Sequence, residues 1–469
     1  MEDQSSNRTK RKQKKRKSST LKNLGLLTCA AFCNFGNFYN ARIPEKLVFP
    51  VAHRFYQGTT ELESLSRTFN LITIPSSIIA GFLITKFKVS NISMVGSYLT
   101  FVSTAGAIIA LYMKSWRVFY LSRLLHAVFF PSLCISQILI LAQNFKRTDL
   151  TIFTCLGQAV SVSALIFSNW VGPGLYEETE QLETSFAFGC LVSLIGVLFL
   201  IIFWLLQNRN QRQIPRGDPL RGKLGICELS LLNDLDLSFW VICLIFGANL
   251  LIFSGYEDFY KTSLFKLYGY TISEAQQSFD WTLKLGFGSG IVYSLLAKKF
   301  GKIRILAFPV SSFLSTTAWW MLGSVTGTEK WVFSVIPLIF GQIFGLINFA
   351  LWSCLALNLR RRARAVGFGV AFSIAAAYKL LKDTLLEGSV IRDGSEAYHK
   401  EVRFLFWLSV LSTIAGLYLY YLDGSKADQG CGMLGMADSD PELEKVLRRR
   451  ESLMSDTYSD IELTRARNK

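Results

Sequence analysis

A few charged side chains lie inside long apolar stretches at spacings that chemistry could use. Arg123 and His126 stand three residues apart, Asp280 and Lys284 four apart, and Lys379 precedes Asp383 by four. A charge at the centre of a bilayer costs about 2.5–3.5 kcal/mol on insertion scales, so each needs a partner or a task. Arg123 can bind an anionic group of a solute; its plainer role is to snorkel toward the membrane surface. His126 follows on the same helical face and could exchange a proton between about pH 5 and 8, or simply pack. Asp280 and Lys284 are spaced to pair with each other, either as a structural tie or as a gate. Lys379 would attract a carboxylate if it faces a cavity; its in-helix alternative is Asp383. Asn37, with Asn34 and Asn40 nearby, and Asn249 can hydrogen-bond a solute or hold helix against helix. Trp352 completes the set of candidate solute contacts.

The same inventory excludes other chemistry. There is no nucleophile elbow, phosphate loop or metal-binding helix motif, so an enzyme is not indicated and no cofactor is implied. Three histidines are too dispersed for a metal site. Nine cysteines lack any C-x-x-C pair and read as small buried hydrophobes. The basic run Lys10–Lys17 precedes an apolar segment, which suits contact with anionic lipid rather than nucleic acid.

The elements that position these residues follow from composition. Of 469 residues, 51% are hydrophobic and 18% charged, below the ~25% of a soluble domain. A spanning helix needs about 20 apolar residues. Such stretches occur at 24–40, 66–85, 92–113, 118–143, 150–172 and 185–206. After a polar gap they recur at 237–259, 277–297, 303–323, 331–357, 366–389 and 403–422. The expectation is an all-α polytopic membrane protein with twelve transmembrane helices in two six-helix halves, 23–206 and 237–422. Segments 1, 8 and 11 are interrupted by polar residues or glycine. The net charge of +16 gathers on the N-terminal tail and on the even-numbered connections, for example Arg360, Arg361 and Arg362, whereas the 5–6 connection carries four glutamates. By the positive-inside rule both termini are cytosolic.

Residues 1–22 then form a basic cytosolic tail, 207–236 a cytosolic linker, and 423–469 a charged tail expected to be disordered. In that tail Tyr458 and Ile461 fit the Y-x-x-Φ sorting pattern. Gly341 and Gly345 make a G-x-x-x-G suited to close helix packing.

The two halves share one local pattern. Gly81-Phe-Leu-Ile-Thr-Lys-Phe-Lys-Val follows the second segment, and Ser294-Leu-Leu-Ala-Lys-Lys-Phe-Gly-Lys the eighth. Both resemble the signature loop of the major facilitator superfamily, with Thr85 and Lys298 where the family places an acid. Leu121-Ser-Arg123-Leu-Leu-His126-Ala is similar to the family's fourth-helix arginine pattern, and Asn169-Trp-Val-Gly172-Pro173-Gly174 to its fifth-helix Gly-Pro motif. Leu237-Ser-Phe-Trp240, the stretch from Phe265 to Gln276 and Phe349-Ala-Leu-Trp352 look like the lysosomal dipeptide uniporter branch. That branch places a carboxylate in helix four and an arginine in helix five; Pro131 and Val162 stand there here.

The resemblance implies a secondary transporter for a small-molecule substrate, a small organic solute of the dipeptide or amino-acid class, working by alternating access in a lysosomal or similar membrane. The plasma membrane is the alternative location. It also implies a glycosylated accessory subunit. The alternatives in function are a transporter-derived sensor or scaffold that moves nothing, and a channel.

Overall fold

The computed structural model describes residues 25–145, 147–211, 229–268, 271–324, 330–359, 363–385 and 395–428. Residues 1–24, most of the central linker, and residues 429–469 with the sorting pattern at Tyr458 and Ile461 lie outside these, while 423–428, expected to begin the disordered tail, continue the last helix. The described residues are helical almost throughout. An apolar chain in lipid must satisfy its backbone polar groups within each segment, and the α-helix does so.

The N-terminal half comprises α1 (25–32), α2 (Phe35–Lys46), α3 (Val48–Phe55), α4 (Thr59–Lys86), α5 (Val89–Tyr112), α6 (Trp116–Asn144), α7 (Arg147–Thr179) and α8 (Leu182–Gln211). The C-terminal half comprises α9 (Leu237–Tyr268), α10 (Ile272–Lys299), α11 (Ile303–Ser324), α12 (Lys330–Asn358), α13 (Arg364–Leu385) and α14 (Ser395–Asp428). Helices α1 and α2 together make the first crossing, so the twelve-helix, two-half arrangement expected from the sequence is present. Ten of these helices are long and apolar enough to span a membrane. The first and eighth crossings fall short of that measure, and both are among the interrupted segments. The eleventh passes it.

Several helices outrun their apolar stretches. The fifth crossing begins at Arg147 and ends at Thr179, and the sixth continues into the linker as far as Gln211. Hydrogen bonding propagates a helix past the point where lipid ends. Helix α3 was not legible as a segment. It is an eight-residue piece whose Val51, Ala52 and Phe55 pack into a cluster with Leu111 and Phe119. Arg54 fastens it to Glu183 of α8 and donates to the Leu111 carbonyl at 3.2 Å.

Local chemistry fixes the ends. Asp236 caps α9, its Oδ1 accepting from the Phe239 N–H at 3.0 Å and from Asn358 Nδ2 at 2.7 Å. Thr271 and Glu274 form a capping box at the start of α10. Glycines set the helix spacing within the C-terminal half. A Cβ at Gly345 would fall 2.9 Å from the Gly286 carbonyl oxygen, and one at Gly341 would fall 2.8 Å from Leu285 Cβ. The G-x-x-x-G of α12 is therefore a backbone-to-backbone seat for α10.

Successive helices run up and down, so the described chain begins and ends on one side, the terminal face. Here the halves touch through α4 and α13. A Cβ on Gly81 would lie 2.7 Å from the Ala365 carbonyl oxygen, and one on Gly369 would lie 2.5 Å from that of Ser77. Only glycine admits this approach.

Candidate functional site

On the face opposite the termini, charged side chains join the halves instead. Arg42 Nη2 donates to Glu257 Oε2 at 2.7 Å, and Lys46 Nζ to Glu257 Oε1 at 3.2 Å. Arg42 Nη1 also reaches Glu45 Oε2 at 2.7 Å, and Lys379 Nζ lies 3.5 Å from Glu45 Oε1. Helix α2 of one half is thereby tied to α9 and α13 of the other. The Glu257 side chain is only 5% exposed and that of Lys379 38%. Lys379 was a sequence candidate, and its partner is Glu45 in the other half. Arg42, Glu45 and Lys46 were not candidates, because they follow the last apolar residue of the first segment. The signal was present as charges at i, i+3 and i+4 in Arg42-Ile-Pro-Glu45-Lys46, a single helical face.

Arg123 and His126 are both buried in α6, inside the N-terminal half. Arg123 donates to the backbone carbonyls of Asn40 at 2.9 Å and Ala41 at 3.1 Å. The reason is local. Pro44 has no N–H, so the Asn40 carbonyl loses its ordinary helical donor, and the guanidinium supplies one. The guanidinium also lies 5.4 Å from the centre of the Phe69 ring. His126 stacks on Phe130 at 6.0 Å and sets Nδ1 3.3 Å from Ser103 Oγ. Beside both is a cavity of about 10 Å³, lined also by Asn40 and Thr104, with room for about one water.

Asp280 and Lys284 do not form a self-contained pair within α10. Both engage α7 of the other half through Trp170. The Trp170 indole N–H donates to Asp280, joined by Asn169 Nδ2 at 3.3 Å. The Lys284 ammonium lies over the ring of Trp170 at 4.3 Å and over Trp281 at 5.0 Å. One indole therefore serves a carboxylate at its edge and a cation at its face.

The buried asparagines hold helices together. Asn37 Nδ2 donates to Asn34 Oδ1 at 2.9 Å, and Asn34 Nδ2 to Gln137 Oε1 at 3.1 Å. Asn40 Nδ2 serves the Gly189 carbonyl at 2.9 Å and Ser193 Oγ at 2.7 Å. Asn249 Nδ2 reaches Ser412 Oγ at 3.1 Å and Ser312 Oγ at 3.3 Å, linking α9 to α11 and α14. Trp352 is packed face-on against Phe372 at 4.7 Å and edge-on against Phe246 at 5.5 Å. Asn249→Ala is expected to destabilise the protein by about 1 kcal/mol, the scale of a membrane-buried hydrogen bond. Thermal unfolding in detergent measures this; a changed solute affinity with unchanged stability would make Asn249 a binding residue instead.

At the terminal face the signature-loop positions behave differently from one another. Thr85 Oγ1 donates to the Gly81 carbonyl in its own helix at 2.9 Å. Lys298, where the family places an acid, donates to Asp149 Oδ1 of the other half at 2.7 Å. An ion pair therefore joins α10 to α7 across the halves on this face.

Comparison with known proteins agrees with this architecture. The bacterial homologue of the iron transporter ferroportin in its outward-facing state is similar over 85% of this chain and 99% of its own, at 14% identity and TM-score 0.63. The proton:xylose symporter XylE, bound to 6-bromo-6-deoxy-D-glucose, matches over 85% and 95%, at 14% identity and TM-score 0.65. The human organic anion transporter MFSD10 matches over 85% and 98%, at 13% identity and TM-score 0.64. No curated protein gives a significant sequence match. The family model described as Major Facilitator Superfamily matches residues 27–378, and with three-quarters of its length covered the chain belongs to that superfamily.

Proposed function

We propose that this chain is a secondary transporter that moves a small organic solute carrying a carboxylate, by alternating access of its two halves. The observation that carries the reading is the contrast between its faces. On the terminal face the halves meet backbone to backbone at Gly81 and Gly369. On the opposite face they meet through ion pairs of long side chains, Arg42, Lys46 and Lys379 with Glu45 and Glu257. Such pairs can separate and re-form without repacking a core.

The charge count points to the solute. Three cations share two carboxylates in this set, and Arg123 lies in the half that carries Arg42. A solute carboxylate entering from that face can take the place of Glu45 or Glu257 as an acceptor. Dipeptides and amino acids are the first class to test, in a lysosomal or similar endomembrane with both termini cytosolic. A glycosylated accessory subunit belongs to the same reading. The similar solved structures are named for xylose, iron and organic anions, so the shared fold leaves the solute open.

The test is uptake into proteoliposomes of radiolabelled dipeptides and amino acids, at pH 5 and at pH 7. Accumulation above empty vesicles, reduced in a Lys379→Gln variant, is expected. No uptake at either pH by folded protein would overturn the reading. A sensor that moves nothing is the second reading, favoured by the missing loop acids at Thr85 and Lys298. It predicts that a solute raises the melting temperature with no uptake.

A further inference from the structure

The outer surface of α10 carries a groove of about 460 Å³, within the roughly 300–1,000 Å³ of ligand-sized sites. Trp281, Lys284, Leu285, Gly288 and Val292 line it along α10, and Gln342 of α12 closes one side. Trp281 is 55% exposed and Val292 54%. In a membrane-spanning helix, such uncovered apolar side chains face lipid. At Gly288 an added Cβ would meet nothing within 4 Å, so the absent side chain leaves a notch. Tyr293 donates to Gln342 Oε1 at 2.6 Å on the far wall, giving the groove a polar edge.

Lys284 is the charged residue of this lining. Its ammonium rests over Trp170 and Trp281, and among the described residues it has neither a carboxylate nor a carbonyl partner. The nearby carboxylate of Asp280 is already engaged by Asn169 and Trp170. A cation on a lipid-facing groove, held between two rings and without an anionic partner among the described residues, is complementary to a lipid phosphate.

We propose that this groove binds one anionic membrane phospholipid, its phosphate on Lys284 and an acyl chain along Leu285, Gly288 and Val292. Because Trp170 belongs to the other half, the headgroup sits where the halves meet through α7 and α10. The site does not depend on which solute is transported.

Native mass spectrometry of the full chain tests this with phosphatidylglycerol and phosphatidylcholine of equal chain length. Wild type is expected to retain one phosphatidylglycerol more tightly than phosphatidylcholine. Lys284→Gln should weaken that binding roughly fivefold, the worth of one lysine near a membrane surface. Lys284→Arg should keep it, and Lys299→Gln, outside the groove, should leave it unchanged. Gly288→Leu, whose Cβ would meet nothing within 4 Å, fills the notch and should weaken binding with the charge intact. Equal retention of the two lipids, or unchanged retention in both Lys284→Gln and Gly288→Leu, overturns the proposal. Displacement of the lipid by millimolar inorganic phosphate would overturn the acyl-chain part and leave a phosphate site.

Discussion

Gly81→Val is expected to drive the protein toward the state that is open at the terminal face. The added Cβ would stand 2.7 Å from the Ala365 carbonyl oxygen and 3.0 Å from Val366 Cα, both backbone atoms of the other half. A flexible side chain could swing away; a helix backbone cannot. Overpacking of this kind costs about 1–3 kcal/mol. The cost falls only on the conformation in which α4 and α13 touch, so it appears as a population shift of about 5- to 150-fold. Distances between spin labels on the terminal ends of α4 and α13 should lengthen, and uptake should fall sharply because one of the two required states is disfavoured. Gly369→Val makes the reciprocal clash with the Ser77 carbonyl oxygen, at 2.5 Å, and should act in the same sense. Labels that report unchanged distances in both variants would mean that the contact is not a gate.

Glu257→Gln should act in the opposite direction. Glu257 accepts from both Arg42 and Lys46 and is itself nearly buried. The neutral amide keeps the shape and loses both ion pairs. Exposed pairs contribute about 0–1 kcal/mol and breaking a buried one costs about 3–5. With a buried acid and partly exposed cations, about 2 kcal/mol is the expected loss. That weakens closure of the face opposite the termini and should shift the population roughly thirtyfold toward opening there. Cysteines placed on that face should label faster in the variant than in wild type. Combining Glu257→Gln with Gly81→Val should restore much of the original balance, since each penalises a different closed face. A double variant that labels like Glu257→Gln alone would show that the two faces are not coupled.

The sequence made the fold legible because lipid leaves few options. A run of about 20 apolar residues has one stable backbone solution, and charge asymmetry across the loops gives the parity of crossings. Segments 1 and 8 were ambiguous for a physical reason. The first crossing is interrupted by a turn at Cys33 and Asn34, where Asn34 bonds Gln137, and α10 carries Asp280 and Lys284 toward Trp170. The site was less legible. In-helix spacing offered Lys284 to Asp280, yet the partners that count come from the other half, at sequence separations that no periodicity reports. The asparagines were visible, but whether an amide meets a serine or a solute depends on a neighbour more than a hundred residues away, as for Asn249 and Ser412. Arg42, Glu45 and Lys46 carry no hydropathy signal, because they lie just beyond the apolar stretch that marks the first crossing.

Arg123 bears on how such a gate could move. Its guanidinium takes hold of α2 at the Asn40 and Ala41 carbonyls, just before the turn that bears Arg42, Glu45 and Lys46. A proline-weakened helix end would ordinarily be the place to hinge. Here that end is riveted to its neighbour, so α2 cannot peel outward by itself when the ion pairs part. In the proposed alternation the displacement would be passed to α6, which turns a loose hinge into a stiff lever arm.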